Sequence, residues 1–355
     1  MATLVSIPEV VTPIPLPAAE PQRLQDRFGR VMTDLRVSIT DRCNYRCVYC
    51  RTGTDGAAFA ELGIEAYAAM IRLLVGLGIE KVRLTGGEPL LRRGLLDLVR
   101  EVRSMPLAFP GDRDNGVEIA LTTNGHLLAG MARDLKEAGL DRITVSMDAV
   151  TPDAFERITR IPNSLGRVLD GIHAAQDAGL GSIKVNCVLM RGWNDDQIEA
   201  FGDFARREQV ILRFIEFMPL DEERIWAADT VVREAEIVER LSRVSPVRLL
   251  PPNHPSETAR RYQFLDGSAE LGIIAPVSRP FCGHCSRLRL TSDGKLRTCL
   301  FSQTDHDLHG RMLRGASTSE MREYVRSVVL GKEERHHIGE AGFLKPSRSM
   351  VHIGG

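Results

Sequence analysis

From about residue 34 the chain alternates two kinds of segment. Short stretches in which apolar and polar residues take turns are followed by longer ones with apolar residues at helical spacing. The strand-like stretches are LRVSIT (35–40), KVRLT (81–85), VEIALT (117–122), RITVSMD (142–148), SIKVNCVL (182–189) and VILRFIEFM (210–218). AYAAMIRLLVGLG (66–78) and RRGLLDLVREVRS (92–104) have helical spacing; Gly78 closes the first and Gly94 lies early in the second. Six β-α units in a row predict a parallel sheet with helices outside it. Six are too few to close an eight-stranded barrel, so the expected α/β fold is a partial (β/α)6 TIM-like barrel.

Successive side chains on a strand point to opposite faces. On the first five strands one face is apolar, as with Leu35, Val37 and Ile39. The other carries Arg36, Ser38 and Thr40, then Lys81, Arg83 and Thr85, then Glu118, Ala120 and Thr122. It continues with Thr144, Ser146 and Asp148, then Lys184 and Asn186. Only the sixth strand is ambiguous, because Arg213 has apolar neighbours on both faces. A filled barrel carries branched apolar side chains inside, and a parallel sheet seldom leaves a polar face in open water. The polar faces therefore predict a hydrated cavity that holds a ligand.

After residue 218 the alternation stops. DEERIWAADTVVREAEIVERLSRV reads as helix, PPNHP as punctuation, and RYQFLDG and ELGIIAPV as short strands. This is an α+β extension packed onto the barrel. The expected organisation is a disordered proline-rich arm (1–30), the barrel (31–218), the extension (219–331) and a tail (332–355) ending in Gly354-Gly355. The arm holds five prolines and no basic residue before Arg23, unlike a secretory or transit peptide.

Composition adds constraints. Hydrophobic residues make up 43% and charged ones 26%, ordinary for a globular chain, and the net charge of −1 draws it to neither nucleic acid nor anionic membrane. Without an 18-residue apolar run, the expectation is a cytoplasmic protein with no nucleic-acid or membrane partner. The basic strand residues need a local explanation. Of seven cysteines, six fall into two tight triplets, Cys43, Cys47, Cys50 and Cys282, Cys285, Cys299, while Cys187 stands alone. That pattern suits metal or cluster ligation in a reducing compartment better than a disulfide framework.

Cys43-x3-Cys47-x2-Cys50 follows the first strand directly. A structural zinc site and an electron-transfer cluster both want four protein ligands. Three thiolates can hold three irons of a [4Fe-4S] cube and leave the fourth open, where chemistry happens. The same argument reads the second triplet as a second open cluster. His284 sits inside its short Cys–Cys loop and Cys187 lies on an apolar strand face, so neither makes a convincing fourth ligand. A zinc site borrowing a distant ligand is the alternative. Arg287 and Arg289 follow at spacing two and share a face if extended. Gly354 and Gly355 form either a frayed end or a tail narrow enough to enter a cavity.

The first triplet, with an aromatic at Tyr49, and the Thr85-Gly86-Gly87-Glu88-Pro89 that ends the second strand resemble the radical S-adenosylmethionine (SAM) superfamily. With LTTNG, VSMD, KVNCVLM, LRFIEFM, FCGHCSRLRLTSDGKLRTCLF and the terminal Gly-Gly, the resemblance narrows to the GTP 3′,8-cyclase family of molybdenum cofactor biosynthesis, from about Leu35 to Gly355. It implies two [4Fe-4S] clusters and SAM as cofactors. Cys43, Cys47 and Cys50 would hold the SAM cluster, with Tyr49, Gly87, Ser146 and Met218 contacting SAM and Glu88 on its amino group. Cys282, Cys285 and Cys299 would hold the second. Arg36, Arg83, Thr122, Lys184, Arg287 and Arg289 would bind GTP. The implied reaction abstracts the ribose 3′ hydrogen with a 5′-deoxyadenosyl radical and joins C3′ to guanine C8. The product is 3′,8-cyclo-7,8-dihydro-GTP, and the Gly-Gly tail helps arrange the site.

An electron donor such as flavodoxin or ferredoxin and a downstream cyclic pyranopterin monophosphate synthase are the implied partners; a homodimer is left open. The chain departs from the family at Arg51-Thr52, where Met-Pro is common, and in its extended 105–116 loop. Two rivals remain: a radical SAM enzyme acting on a peptide or another nucleotide, and a non-catalytic iron–sulfur or zinc scaffold.

Overall fold

A computed structural model describes residues 22–50, 59, 61–109 and 116–353. Its centre is six parallel strands: β1 (Asp34–Ser38), β2 (Lys81–Thr85), β3 (Glu118–Thr123), β4 (Arg142–Ser146), β5 (Lys184–Leu189) and β6 (Ile211–Glu216). The connecting helices are α1 (Ile64–Val75), α2 (Leu95–Arg103), α3 (Ala132–Glu137), α4 (Pro152–Thr159), α5 (Leu165–Asp177) and α6 (Ile198–Glu208). The outward strand residues Leu35, Val37, Val82, Leu84, Ile143, Val145, Val185 and Phe214 are at most 1% exposed and join Tyr67, Leu98, Val102 and Phe201 of the helices in one core. Full burial of such a side chain stabilises by about 1.5–3 kcal/mol. That face-by-face economy is what fixes strand register.

The extension contributes α7 (Glu234–Val244), β7 (Val247–Leu249), β8 (Arg260–Phe264), β9 (Glu270–Ile274), β10 (Arg287–Leu290), β11 (Lys295–Arg297), β12 (His306–Asp307), α8 (Leu308–Leu313), α9 (Thr318–Leu330) and α10 (Met350–Ile353). It does more than pack onto the barrel. The sheet order is β12-β11-β10-β1-β2-β3-β4-β5-β6-β9-β8-β7, with β10 parallel to β1 and β9 parallel to β6. An uncovered edge strand leaves a row of unpaired amides and carbonyls, and the extension satisfies both edges of the six-stranded unit. The wall becomes eight parallel strands that stay open between β9 and β10. Among the described residues no helix is long and apolar enough to cross a membrane.

Two expectations need correcting. Residues 22–30, assigned to the disordered arm, are folded. Leu24 is 1% exposed and exchanges main-chain hydrogen bonds with Leu77 and Met32, and Arg30 is buried in an ion pair with Asp26. The segment 221–244 is α-helical only from Glu234, with a single 3-10 turn before it at Ala228–Thr230. Before it, Asp221 accepts from the amides of Ile225 and Trp226, and the Trp226 indole donates to the Phe217 carbonyl. Those local bonds compete with a helix for the same backbone.

The loops after β1 and β2 cross at the carboxyl ends of the strands. Gly87 N donates to the Thr40 carbonyl at 2.8 Å and Glu88 N to that of Arg42 at 2.7 Å. A Cβ on Gly86 would stand 2.3 Å from the Thr40 oxygen, and one on Gly87 2.3 Å from the Arg42 oxygen. The glycine pair is thus required by the protein's own chain, before any ligand is considered. Gly87→Ala is expected to cost about 1–3 kcal/mol in urea unfolding of the cluster-free protein. Gly130→Ala, with nothing within 4 Å of its Cβ, should stay within about 0.5 kcal/mol of the parent.

Candidate active site

The inner face of the sheet is cationic. Register sets Arg289 beside Arg36, Arg36 beside Arg83, Thr144 beside Lys184 and Asn186 beside Arg213. Arg83 donates to the hydroxyls of Thr122 at 3.1 Å and Thr144 at 3.2 Å. Arg213 donates to Asn186 Oδ1 at 3.0 Å and to Thr144 Oγ1 at 3.3 Å. Across from Arg213 lies Gly272, where a Cβ would come within 3.0 Å of the arginine's Cγ. At the amino ends of the strands Glu118 pairs with Lys81 and Arg142.

Burial, then mutual repulsion, governs these bases. Burial lowers Arg36 to about 9, helped by Arg83 and Arg287, and lowers Arg83 to about 9, helped by Arg213 and Arg142. Arg213 falls to about 10 through burial and Arg142, and Lys184 to about 8 through burial, then Arg213, Arg142, Arg83 and Lys81. Arg289 is driven well below its ordinary value by burial and then by Arg36 and Arg287. So many like charges in one hollow are costly unless an anion joins them. Arginine forks match phosphate oxygens geometrically.

The sequence reading left Arg213 without a role. Its apolar strand neighbours, Ile211 and Ile215, share its face and mask the alternation, while Leu212, Phe214 and Glu216 are the buried set. Its pairing with Asn186 is what places it inside.

The first cysteine loop follows β1, at the same end of the sheet as the Gly86-Gly87 turn. It is pinned by Arg46 N to the Thr159 carbonyl at 3.1 Å, Val48 N to Ile158 at 3.0 Å, and Asn124 Nδ2 to Asn44 Oδ1 at 2.8 Å. Asn124 Nδ2 also reaches Cys43 Sγ at 4.0 Å. Tyr49 donates its phenol to Asp148 Oδ2 at 2.8 Å, and Asp148 Oδ1 accepts from Val188 N at 2.8 Å. Burial pushes the Asp148 carboxyl up to about 6 against those two bonds. Ser146 ends β4, and Met218 lies two residues past β6, packed beside Leu220 and Phe301.

Glu88 is held by the chain itself. Its side chain is fully buried; Oε1 accepts from Leu90 N at 2.9 Å and Thr123 Oγ1 at 2.7 Å, and Oε2 from Asn124 N at 2.7 Å. Burial raises it to about 7 despite these bonds. The carboxylate ties the β2 turn to the loop after β3.

The second triplet flanks β10 and β11. Cys282 begins a single 3-10 turn ending at His284, which is exposed. Arg287 Nη2 donates to Cys285 Sγ at 3.3 Å and its guanidinium lies over the Phe281 ring. Burial pushes Cys285 up, but Arg287, Lys332 and Arg30 overcome it and bring the thiol to about 7. Arg289 Nη1 donates to the Ile353 carbonyl at 3.1 Å, and Ser38 Oγ to the Val351 carbonyl at 3.1 Å. The tail therefore enters beside β1 and β10. Gly354, Gly355, Arg51 and Thr52 lie outside the described residues.

The donor sets suit iron–sulfur cubes. All six triplet cysteines are half-buried, and none is joined in a disulfide. Burial, then Asp148, Cys43 and Cys50, raise Cys47 well above its ordinary value, so its loop thiols repel as anions and would gain from a cationic metal core. Among the described residues no three His, Cys, Asp or Glu side chains come close enough to share a single ion; a cube spreads its thiolates over separate corners. Cys187 is fully buried against the Asp148 carbonyl and Asn194, on the helix side of β5.

Residues 37–205 match the family model of the radical SAM superfamily, and residues 210–338 that of Molybdenum Cofactor Synthesis C. The GTP 3′,8-cyclase of Xanthomonas axonopodis pv. citri is 42% identical over 82% of this chain and 87% of its own. That of Rhodopirellula baltica is 40% identical over 96% and 94%, and that of Moorella thermoacetica 41% over 94% and 100%. The crystal structure of Streptococcus suis SuiB bound to S-adenosylmethionine shares the fold, with a TM-score of 0.58 and 12% identity over 83% of this chain and 68% of that one.

The crowding of the hollow has a measurable signature. Lys184 in the free protein loses its proton near pH 8, so charge available to an anion is greater below that pH. Inorganic tripolyphosphate should raise the melting temperature more at pH 7 than at pH 9.5, and Lys184→Gln should narrow the difference. Equal shifts at both pH values in the parent would remove Lys184 from the anion site.

Proposed function

The chain belongs to the GTP 3′,8-cyclase family of radical SAM enzymes, and from that premise we propose that it converts GTP to 3′,8-cyclo-7,8-dihydro-GTP, a lyase reaction at the start of molybdopterin biosynthesis. The observation that carries this reading is the cationic inner wall with a cysteine triplet at each side of β1: one on the loop that leaves it, the other around its neighbour β10.

Cys43, Cys47 and Cys50 would hold a [4Fe-4S] cube with one iron open to SAM. Bound there, SAM would supply the radical that takes the ribose 3′ hydrogen; C3′ then joins guanine C8, and one electron with one proton, the electron from the reductant by way of the second cube, quenches the radical left on the guanine. What the chain itself does is bind, orient and exclude. Arg36, Arg83, Lys184 and Arg213 neutralise the triphosphate, and Thr122 supplies a hydroxyl among them. Neutralising a polyanion inside a hollow fixes the ribose at one depth, and such positioning carries much of the rate. Tyr49, Gly87, Ser146 and Met218 sit at the carboxyl ends of the strands, where SAM would lie over the first triplet. Glu88 would anchor the loop there and face the amino group of SAM.

Cys282, Cys285 and Cys299 would hold a second cube toward the guanine, with Arg287 and Arg289 as its cationic flank. Arg289 also grips the tail at Ile353, and Gly354 and Gly355, the next residues in sequence, would help arrange the site. An electron donor of the flavodoxin or ferredoxin kind would reduce the first cube, and a cyclic pyranopterin monophosphate synthase would consume the product.

Anaerobic incubation with GTP, SAM and dithionite should yield a nucleotide isomeric with GTP and of altered fragmentation. With GTP deuterated at C3′, the label should appear in 5′-deoxyadenosine; unlabelled 5′-deoxyadenosine beside unchanged GTP sinks the reaction. Reconstituted protein should hold about eight irons, as two four-iron cubes. Arg213→Ala and Arg287→Ala should each weaken GTP binding about 30-fold or more, the scale of a lost charge pair, and leave SAM binding unchanged. Equal loss of both ligands would place these arginines elsewhere.

A further inference from the structure

Behind the second triplet two cationic side chains are withdrawn from water: Arg30 is 7% exposed and Lys332 2%. Arg30 has a counter-ion. Its Nε donates to Asp26 Oδ2 at 2.5 Å, and its Nη atoms to the carbonyls of Cys282 at 2.9 Å, Glu334 at 2.8 Å and Glu333 at 2.6 Å. Lys332 is held differently. Its Nζ donates to the main-chain carbonyl of Arg287 at 3.0 Å and to that of Thr298.

Thr298 immediately precedes Cys299, and Arg287 lies two residues after Cys285. One ammonium therefore spans both cysteine-bearing segments. The neighbouring Glu333 reaches the same place, its carboxylate accepting from Thr298 Oγ1 at 2.7 Å. A helix end does not account for the lysine. Its amide caps the Val329 carbonyl of α9, but its ammonium goes to carbonyls of other segments. Two neutral carbonyls compensate a buried charge only partly.

We propose that Lys332 is a positioning residue for the second cluster, holding its two cysteine segments together and easing the cluster's reduction through its positive charge. This rests on the second cluster proposed above. A cube held by three thiolates is anionic and becomes more so with an added electron, so a cation fixed beside it in a low-dielectric setting stabilises the reduced form. Glu333, of opposite sign on the same threonine, opposes it. The pair sets the field at the cage.

The test is a dithionite titration followed by electron paramagnetic resonance on reconstituted full-length protein, with iron counted per chain. Lys332→Gln keeps a donor and removes the charge; its second cluster should be half-reduced at a more negative potential than the parent's. Lys332→Arg should lie near the parent. Glu333→Gln should move the potential the opposite way, and it decides the matter if Lys332→Gln does not fold. In every variant the signal that changes on adding SAM should keep its parental potential. About eight irons with unshifted potentials in the glutamine variants overturns the proposal alone. About four irons in the parent protein overturns the second cluster, and this proposal with it.

Discussion

The constraint on which the rest depends is the repulsion among arginines and a lysine that share one hollow. Arg36, Arg83, Arg213 and Lys184 are turned inward by strand alternation, and hydroxyl and amide partners, Thr122, Thr144 and Asn186, hold Arg83 and Arg213 there. These neutral partners fix direction without cancelling charge. The outward faces of the same strands are among the driest positions in the molecule, at most 1% exposed for Leu35, Val82, Ile143 and Val185. A one-residue slip would put guanidinium groups into that core. The hydrophobic core thus enforces an electrostatic strain that a bound polyanion would relieve.

The sheet's extension brings two triplets distant in sequence to neighbouring strands. β10 pairs with β1 in parallel, Leu35 beside Leu288 and Arg36 beside Arg289. That pairing carries Cys282 and Cys285, which precede β10, and Cys299, which follows β11, to the flank of the strand whose loop bears Cys43, Cys47 and Cys50. On the opposite edge, β9 contributes Gly272, whose missing side chain leaves space for Arg213.

Much of this was legible in the chain because period-two alternation is a local property. The boundaries of β2 and the faces of β1 to β5 follow from it directly. What escaped was set by contacts distant in sequence or by local hydrogen bonds. Arg213 could be placed only by its neighbour across the sheet. The glycine pair at Gly86 and Gly87 answers to the backbone of Thr40 and Arg42, and Glu88 to the loop after β3. The folded state of residues 22–30 depends on Leu77 and on carbonyls beyond residue 280, partners that no local window contains. The apolar pattern before α7 looked helical, but Asp221 offered its backbone a tighter alternative.

One consequence concerns how the chain is made. The outer edge of β1 waits for a strand that begins at residue 287, about 250 residues later. At a ribosomal pace of roughly 5–20 residues per second, that edge stays unsheltered for roughly 10–50 s, a window in which strand edges invite wrong partners. Nascent chains stalled before β10 should therefore be clients of holding chaperones, and release should coincide with the emergence of the last third of the protein.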